Sequence, residues 1–258
     1  MTAATATSVK TLSPLGWLRI ILRLGAMVTL LFACVALHCL WRIVRAPSRW
    51  PRRFLAGVAW IVGARVSTSG EHGMPARLYL ANHVSWIDIP VLAGATGTAF
   101  VAHDGLASIP VLRWLCALND TVFVARHDRR SIAAQIAQVR EAFADAGALT
   151  IFPEGTTSTG DTLLPFKSSL LSALDGALPG TTVQPVLIDY GAASPDIAWV
   201  GDEHGLDNFL CILAHREPIR VHLAFLPPLN GESLANRKTI ATDARDAIAT
   251  ALAQSRKD

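Results

Sequence analysis

Residues 77–88 read RLYLANHVSWID. The first four are a short apolar strand candidate, and the segment Asn82-His83-Val84-Ser85-Trp86-Ile87-Asp88 follows it directly. Loops at strand ends are where α/β proteins place function. If the chain turns between them, His83 can act as a base. Asp88 would then fix its tautomer and stabilise the imidazolium. Of the eight histidines, only His83 has an Asp five residues on. Taken alone, this spacing equally fits a structural histidine and an Asp that opens a helix.

Outward from this segment the pattern alternates between strand and helix. Residues 98–102 (TAFVA) and 121–125 (TVFVA) are rich in β-branched and aromatic residues and read as strands. Ser131 opens a helix whose Ile132, Ile136, Val139 and Phe143 share one face, and Gly147 is its expected stop. Residues 148–152 (ALTIF) form a buried-strand pattern, and 167–178 read as helix. Residues 183–188 (VQPVLI) are a strand whose Pro185 suggests an edge, a bulge or a strand start. Residues 220–226 form a further strand, and 235–254 a closing helix with Ile240, Ala244, Ala247, Ile248 and Leu252 on one face. This order predicts an α/β fold, a mixed and mainly parallel sheet flanked by helices.

A second strand-end segment is Phe152-Pro153-Glu154-Gly155-Thr156-Thr157-Ser158. Gly155 permits close backbone approach, and the Thr156 and Thr157 hydroxyls and amides can bind an oxyanion. Glu154 can either hydrogen-bond an acceptor hydroxyl or lock the loop. Arg126 ends the strand at 121–125, where an arginine is a natural bidentate phosphate ligand, although solvated charge is the commoner outcome. Lys167 is similarly two-sided.

The amino-terminal part differs in kind. Residues 24–40 carry no formal charge, Trp17 and Trp41 bracket them, and Arg42, Arg45, Arg49, Arg52 and Arg53 follow. Pro47 and Pro51 interrupt the chain before a second apolar stretch at 54–66, and 67–75 read as a loop. Seventeen residues are marginal for a bilayer span. A spanning helix and a pair of helices dipping into one leaflet, with the arginines on anionic headgroups, both fit. The five arginines would resist export, which argues against a cleaved leader. Either arrangement leaves the body on the cytoplasmic side.

Composition agrees. Of 258 residues, 51% are hydrophobic and only 17% charged, and mean hydropathy is +0.36. That excludes a disordered chain and a nucleic-acid-binding tail. Residues 1–75 hold nine Lys/Arg against one acid, net +8, and the remainder nets −5. Four cysteines without a C-x-x-C spacing support neither a zinc site nor a disulfide framework.

Four blocks in order carry a family resemblance: Asn82-His83 with Asp88, residues 122–126 (VFVAR), residues 152–156 (FPEGT) and residues 183–186 (VQPV). The chain resembles the glycerolipid acyltransferases, typified by 1-acylglycerol-3-phosphate (lysophosphatidic acid) acyltransferases, over roughly residues 75–230. The basic, apolar two-helix start is similar to that of the family's bacterial members. The resemblance implies a tail at 1–15, a membrane-associated two-helix segment at 16–66 and a catalytic domain at 67–258, at the bacterial inner membrane. It implies His83 as base with Asp88, and substrate contacts by Asn82, Arg126, Glu154, Gly155 and Thr156. Lys167 would add to the anion site, and Pro185 belongs to a block linked to the acyl donor.

The implied partners are the lipid bilayer, a lysolipid acceptor and an acyl-CoA or acyl-carrier-protein donor, with no nucleic acid, metal or cofactor. No acyl-enzyme is needed, and neither Ser85 nor Ser158 lies on a G-x-S-x-G elbow. The acceptor implied first is lysophosphatidic acid. Residues 164–170, 183–190 and 198–202 are also similar to the lyso-ornithine lipid acyltransferase branch. A non-catalytic membrane-surface binding protein on the same fold is the third reading. One departure is His103 and Gly105, where relatives often carry Lys and Glu, which puts an anion contact from that segment in doubt.

Overall fold

The computed structural model describes residues 12–44, 49–72, 77–103, 114, 119, 121–124, 132–174 and 180–257. Seven strands form one sheet: β1 Ala64–Ser69, β2 Arg77–Ala81, β3 Ala99–His103, β4 Val122–Val124, β5 Ala148–Ile151, β6 Thr182–Asp189 and β7 Ile219–Phe225. Their order is β1-β7-β6-β2-β5-β3-β4, and only the β6–β7 pair is antiparallel. The expected mixed, mainly parallel sheet is therefore the observed one. Helices are α1 Pro14–Ile43, α2 Trp50–Ile61, α3 Asp88–Thr96, α4 Ile132–Ala146, α5 Gly205–Ala214 and α6 Arg237–Ser255. One turn, Ser194–Ile197, precedes α5.

Strand β2 explains the two cores. Leu78 and Leu80 point to a layer built with α4 and α6, where Val139, Ala142, Leu149, Ile151, Ala241 and Ala244 pack. Tyr79 and Ala81 point the other way, to a layer with Ile20 of α1, Ala59 of α2, Leu92 of α3 and Ile212 of α5. A parallel strand covered on both faces reads as a continuous apolar run, which is why RLYL shows no alternation.

Local signals set several helix ends. Ser13 Oγ accepts the Gly16 N–H at 3.2 Å, and Pro14 follows it, so α1 starts where a cap meets a proline. Asn236 and Thr239 form a capping box at the start of α6. Gly147, at φ 70°, stops α4 as expected.

Four expectations change. The apolar stretch at 54–66 is not one helix: α2 ends at Ile61, and residues 64–69 form the edge strand β1 instead of a loop. Five of the six β1 residues are exposed, so nothing but pairing with β7 makes them a strand, and no apolar pattern announces it. Helix α5 is an element beyond those expected from the sequence. Residues 168–174 are a 3-10 helix within the predicted helix at 167–178, of which 175–179 lie outside the described residues. Pro185 is not on an edge strand, because β6 lies between β7 and β2. It is tolerated there because its carbonyl faces the β7 side and accepts from Leu226, one residue past the β6–β7 ladder. The Leu226 carbonyl, which the missing N–H would have met, accepts the Gln184 side-chain amide at 2.9 Å instead.

The arginines also have partners inside the protein. Arg23 Nη1 donates to the Ile212, Leu213 and His215 carbonyls at 3.2, 2.9 and 3.0 Å, which caps the end of α5. Arg52 donates to Gly94 and Ala95 at 3.1 and 2.6 Å, which caps the end of α3. Arg53 lies 4.5 Å over the Trp50 ring. Cations at helix C-termini complement the dipole. Arg23 therefore fastens α1, and Arg52 fastens α2, to the body.

Candidate active site

The site forms where three neighbouring parallel strands end. β2 lies between β6 and β5, so residues following all three emerge at one edge of the sheet. His83 follows β2, Glu154 follows β5 and Tyr190 follows β6.

The chain does turn between His83 and Asp88. His83 Nδ1 lies 2.7 Å from Asp88 Oδ2. That carboxylate oxygen also accepts the Val84 N–H at 2.6 Å and the Ser85 N–H at 3.0 Å. The second oxygen, Oδ1, accepts the Tyr190 hydroxyl at 2.5 Å. Asp88 is 0% exposed and opens α3, where a carboxylate is favoured by the helix dipole. The carboxylate only accepts, so Nδ1 donates to it, and in the neutral ring Nε2 is then the atom with the lone pair. The His83 side chain remains 18% exposed, and the Phe152 ring stacks on it at 4.1 Å and 14°.

Glu154 takes the locking role of the two open to it. It is 0% exposed; Oε1 accepts the His83 N–H at 2.9 Å and Oε2 the Leu164 N–H at 3.0 Å. Burial lifts its carboxyl above the usual range, and the two backbone N–H bonds pull the other way. Ser158 closes the same loop: its N–H and Oγ both reach the His83 carbonyl, at 2.7 and 3.1 Å. Its hydroxyl thus serves the histidine backbone and not the ring, and the Ser85 hydroxyl is fully buried. Neither serine is placed as a nucleophile.

Asn82 is spent on β6. Its amide donates to the Ile188 carbonyl at 3.0 Å and its oxygen accepts the Ile188 N–H at 2.7 Å. It positions the loop, and a substrate contact by its side chain does not follow from this geometry. Gly155 takes φ 69°, which bends the chain back so that its N–H bonds the Phe152 carbonyl at 3.1 Å. Thr156 is exposed beside it, while Thr157 Oγ1 bonds the Trp199 carbonyl. Lys167 is exposed, its backbone N–H bonded to Pro153 O at 2.8 Å. Pro185 is buried in the sheet opposite Leu80, away from the strand ends. Arg126 lies outside the described residues, as do Gly105 and the side chain of His103.

The group that sequence reasoning missed is Tyr190. It is one of two tyrosines and directly follows the end of β6. A hydroxyl-bearing aromatic just past a buried strand was the available signal.

Residues 65–189 match the acyltransferase family. A lyso-ornithine lipid O-acyltransferase of Rhizobium meliloti is 34% identical, over 88% of this chain and 83% of its own length. A 1-acyl-sn-glycerol-3-phosphate acyltransferase of Neisseria gonorrhoeae is 38% identical over 50% of each chain. The crystal structure of the acyltransferase PlsC from Thermotoga maritima superposes with a TM-score of 0.63, at 20% identity, covering 93% of this chain and 98% of that one.

The raised Glu154 carboxyl has a measurable consequence. Its folded value lies above the unfolded one of about 4.3, so folding favours the protonated form. Stability from this group is present below the unfolded value and is lost as pH rises through the folded value. The Gln of a Glu154→Gln variant does not titrate. The wild-type advantage over that variant in chemical unfolding should therefore shrink as pH rises through this window. A difference that stays constant from about pH 4 to 8 would contradict the assignment.

Proposed function

This chain belongs to the glycerolipid acyltransferase family, and from that premise we propose that it transfers a fatty acyl group from a thioester donor to the free hydroxyl of lyso-ornithine lipid. The observation that carries the chemistry is the His83–Asp88 pair at 2.7 Å, with Nε2 free of that bond. Nε2 takes the proton of the acceptor hydroxyl as its oxygen attacks the thioester carbonyl. The tetrahedral intermediate expels the thiolate, which takes the proton back from Nε2. One C–O bond forms, one C–S bond breaks, and His83 returns to its neutral form. No protein nucleophile and no metal enters this sequence. The donor is acyl-CoA or acyl-carrier protein.

The acceptor assignment is supported by extent. The relative aligned over 88% of this chain is named for lyso-ornithine lipid, whereas the Neisseria relative named for 1-acyl-sn-glycerol-3-phosphate aligns over 50%. Lysophosphatidic acid is the second reading, favoured by that relative's higher identity and by Arg126, Thr156 and Lys167 in the sequence.

For the membrane we propose attachment through α1 lying in one leaflet, with the body on the cytoplasmic side. Helix α1 is 30 residues long and apolar enough to cross a bilayer. It is nevertheless flanked by α2 along much of its length. Arg23 lies against Gly63, Leu30 against Gly57 and Trp41 against Trp50. Helix α2 in turn packs on α3, with Gly94 against Ala56. A perpendicular α1 would draw α2, with Arg52 and Arg53, into hydrocarbon, at a high cost for each charge. Its opposite side offers Leu15, Ile21, Leu22 and Phe32, the last 70% exposed, to lipid.

Purified protein given a labelled acyl thioester with either acceptor should acylate lyso-ornithine lipid at least about tenfold faster than lysophosphatidic acid. His83→Ala should lower the rate on the order of a hundredfold or more. The reverse preference would move the assignment to the second reading, and full activity in His83→Ala would remove the mechanism. For the membrane, single cysteines at Leu12→Cys or Val44→Cys in a cysteine-free background should both react with an impermeant maleimide from the cytoplasmic side. Labelling from opposite sides would establish a span.

A further inference from the structure

We propose that Tyr190 is a positioning residue of the reaction: its hydroxyl, bound to Asp88 Oδ1, sets the proton affinity of the His83–Asp88 pair. The proposal rests on the acyl-transfer reading above and assigns a role to a group outside all four sequence blocks.

The geometry is specific. Tyr190 is 2% exposed and its ring packs in the core layer shared by Val84, Ile87 and Val91, so the hydroxyl has no freedom to turn to solvent. Its O–H donates at 2.5 Å to the carboxylate oxygen that His83 does not use. Asp88 can only accept, so Tyr190 must donate. Burial, then the charge of Asp88 and the bond to it, push the phenol well above its ordinary range. It is therefore a fixed donor and not a proton carrier at working pH.

A donor on Oδ1 draws negative charge away from Oδ2, the oxygen facing Nδ1. That weakens the pull of Asp88 on the imidazolium. Among the described residues, the titratable groups interacting with the pair are Glu154, through its bond to the His83 N–H, and Tyr190 itself. Glu154 stabilises a cationic His83, and Tyr190 offsets that by sharing the Asp88 charge. Without Tyr190 the pair holds its proton more tightly. A smaller share of His83 would then be ready to accept from the lysolipid hydroxyl at a given pH.

Tyr190→Phe keeps the ring and removes only the oxygen. In full-length protein it should lower kcat by about tenfold with KM changed less than about twofold. The acid limb of the kcat/KM profile should move to higher pH, by about half a unit to one unit. In an Asp88→Asn background the same substitution should move neither kcat nor the limb. A loss of activity with the acid limb unmoved would reduce Tyr190 to a packing role and overturn the proposal, as would an equal loss in the Asp88→Asn background. Failure of the wild-type protein to acylate any lysolipid would instead refute the underlying reading, so the two failures are distinguishable.

Discussion

A single buried carboxylate organises this enzyme. Asp88 is out of reach of water, where an unpaired charge would be untenable. It is held by four donors: the ring of His83, the backbone of Val84 and Ser85, and the phenol of Tyr190. Two of these shape the loop between His83 and Asp88. One orients the His83 ring, and one ties the loop to the end of β6. Loop conformation, helix start and the orientation of the His83 ring thus depend on one group, and removing its charge would loosen all three.

The sheet makes this possible. Three adjacent strands running the same way deliver His83, Glu154 and Tyr190 to one edge. Each of the two loops then fastens the other. Glu154 holds the His83 N–H, Ser158 holds the His83 carbonyl, and Trp199 donates to the Val84 carbonyl at 3.0 Å. The proposed base therefore stands on a frame of backbone hydrogen bonds, which suits a group that must hold its position against its substrate. At the other side, Arg23 and Arg52 use helix C-termini to dock the apolar helices on that frame.

Much of this could be read from residue types and spacing. The parallel strands announced themselves as apolar runs ending in polar segments, and His83 with Asp88 could be paired because only that histidine has an Asp five residues on. What could not be read was direction. Asn82 and Glu154 are as suited to a substrate as to a backbone amide, and only the fold shows that both face inward. Strand β1 exists through pairing with β7 alone, so its polar sequence gave no sign. Tyr190 reaches Asp88 across 102 residues of sequence, a distance no local pattern spans. Arg52 could be read as part of a basic flank to the apolar segment, while its carbonyl partners at the end of α3 could not.

The most direct test is the protonation state of the His83 ring in the resting, detergent-solubilised protein, read by isotope-edited NMR. An Nδ1 that carries the proton, with a strongly downfield proton signal that disappears in Asp88→Asn, and an Nε2 of lone-pair type, is the predicted result. A proton resident on Nε2, or a His83 signal indifferent to Asp88→Asn, would contradict the account at its centre.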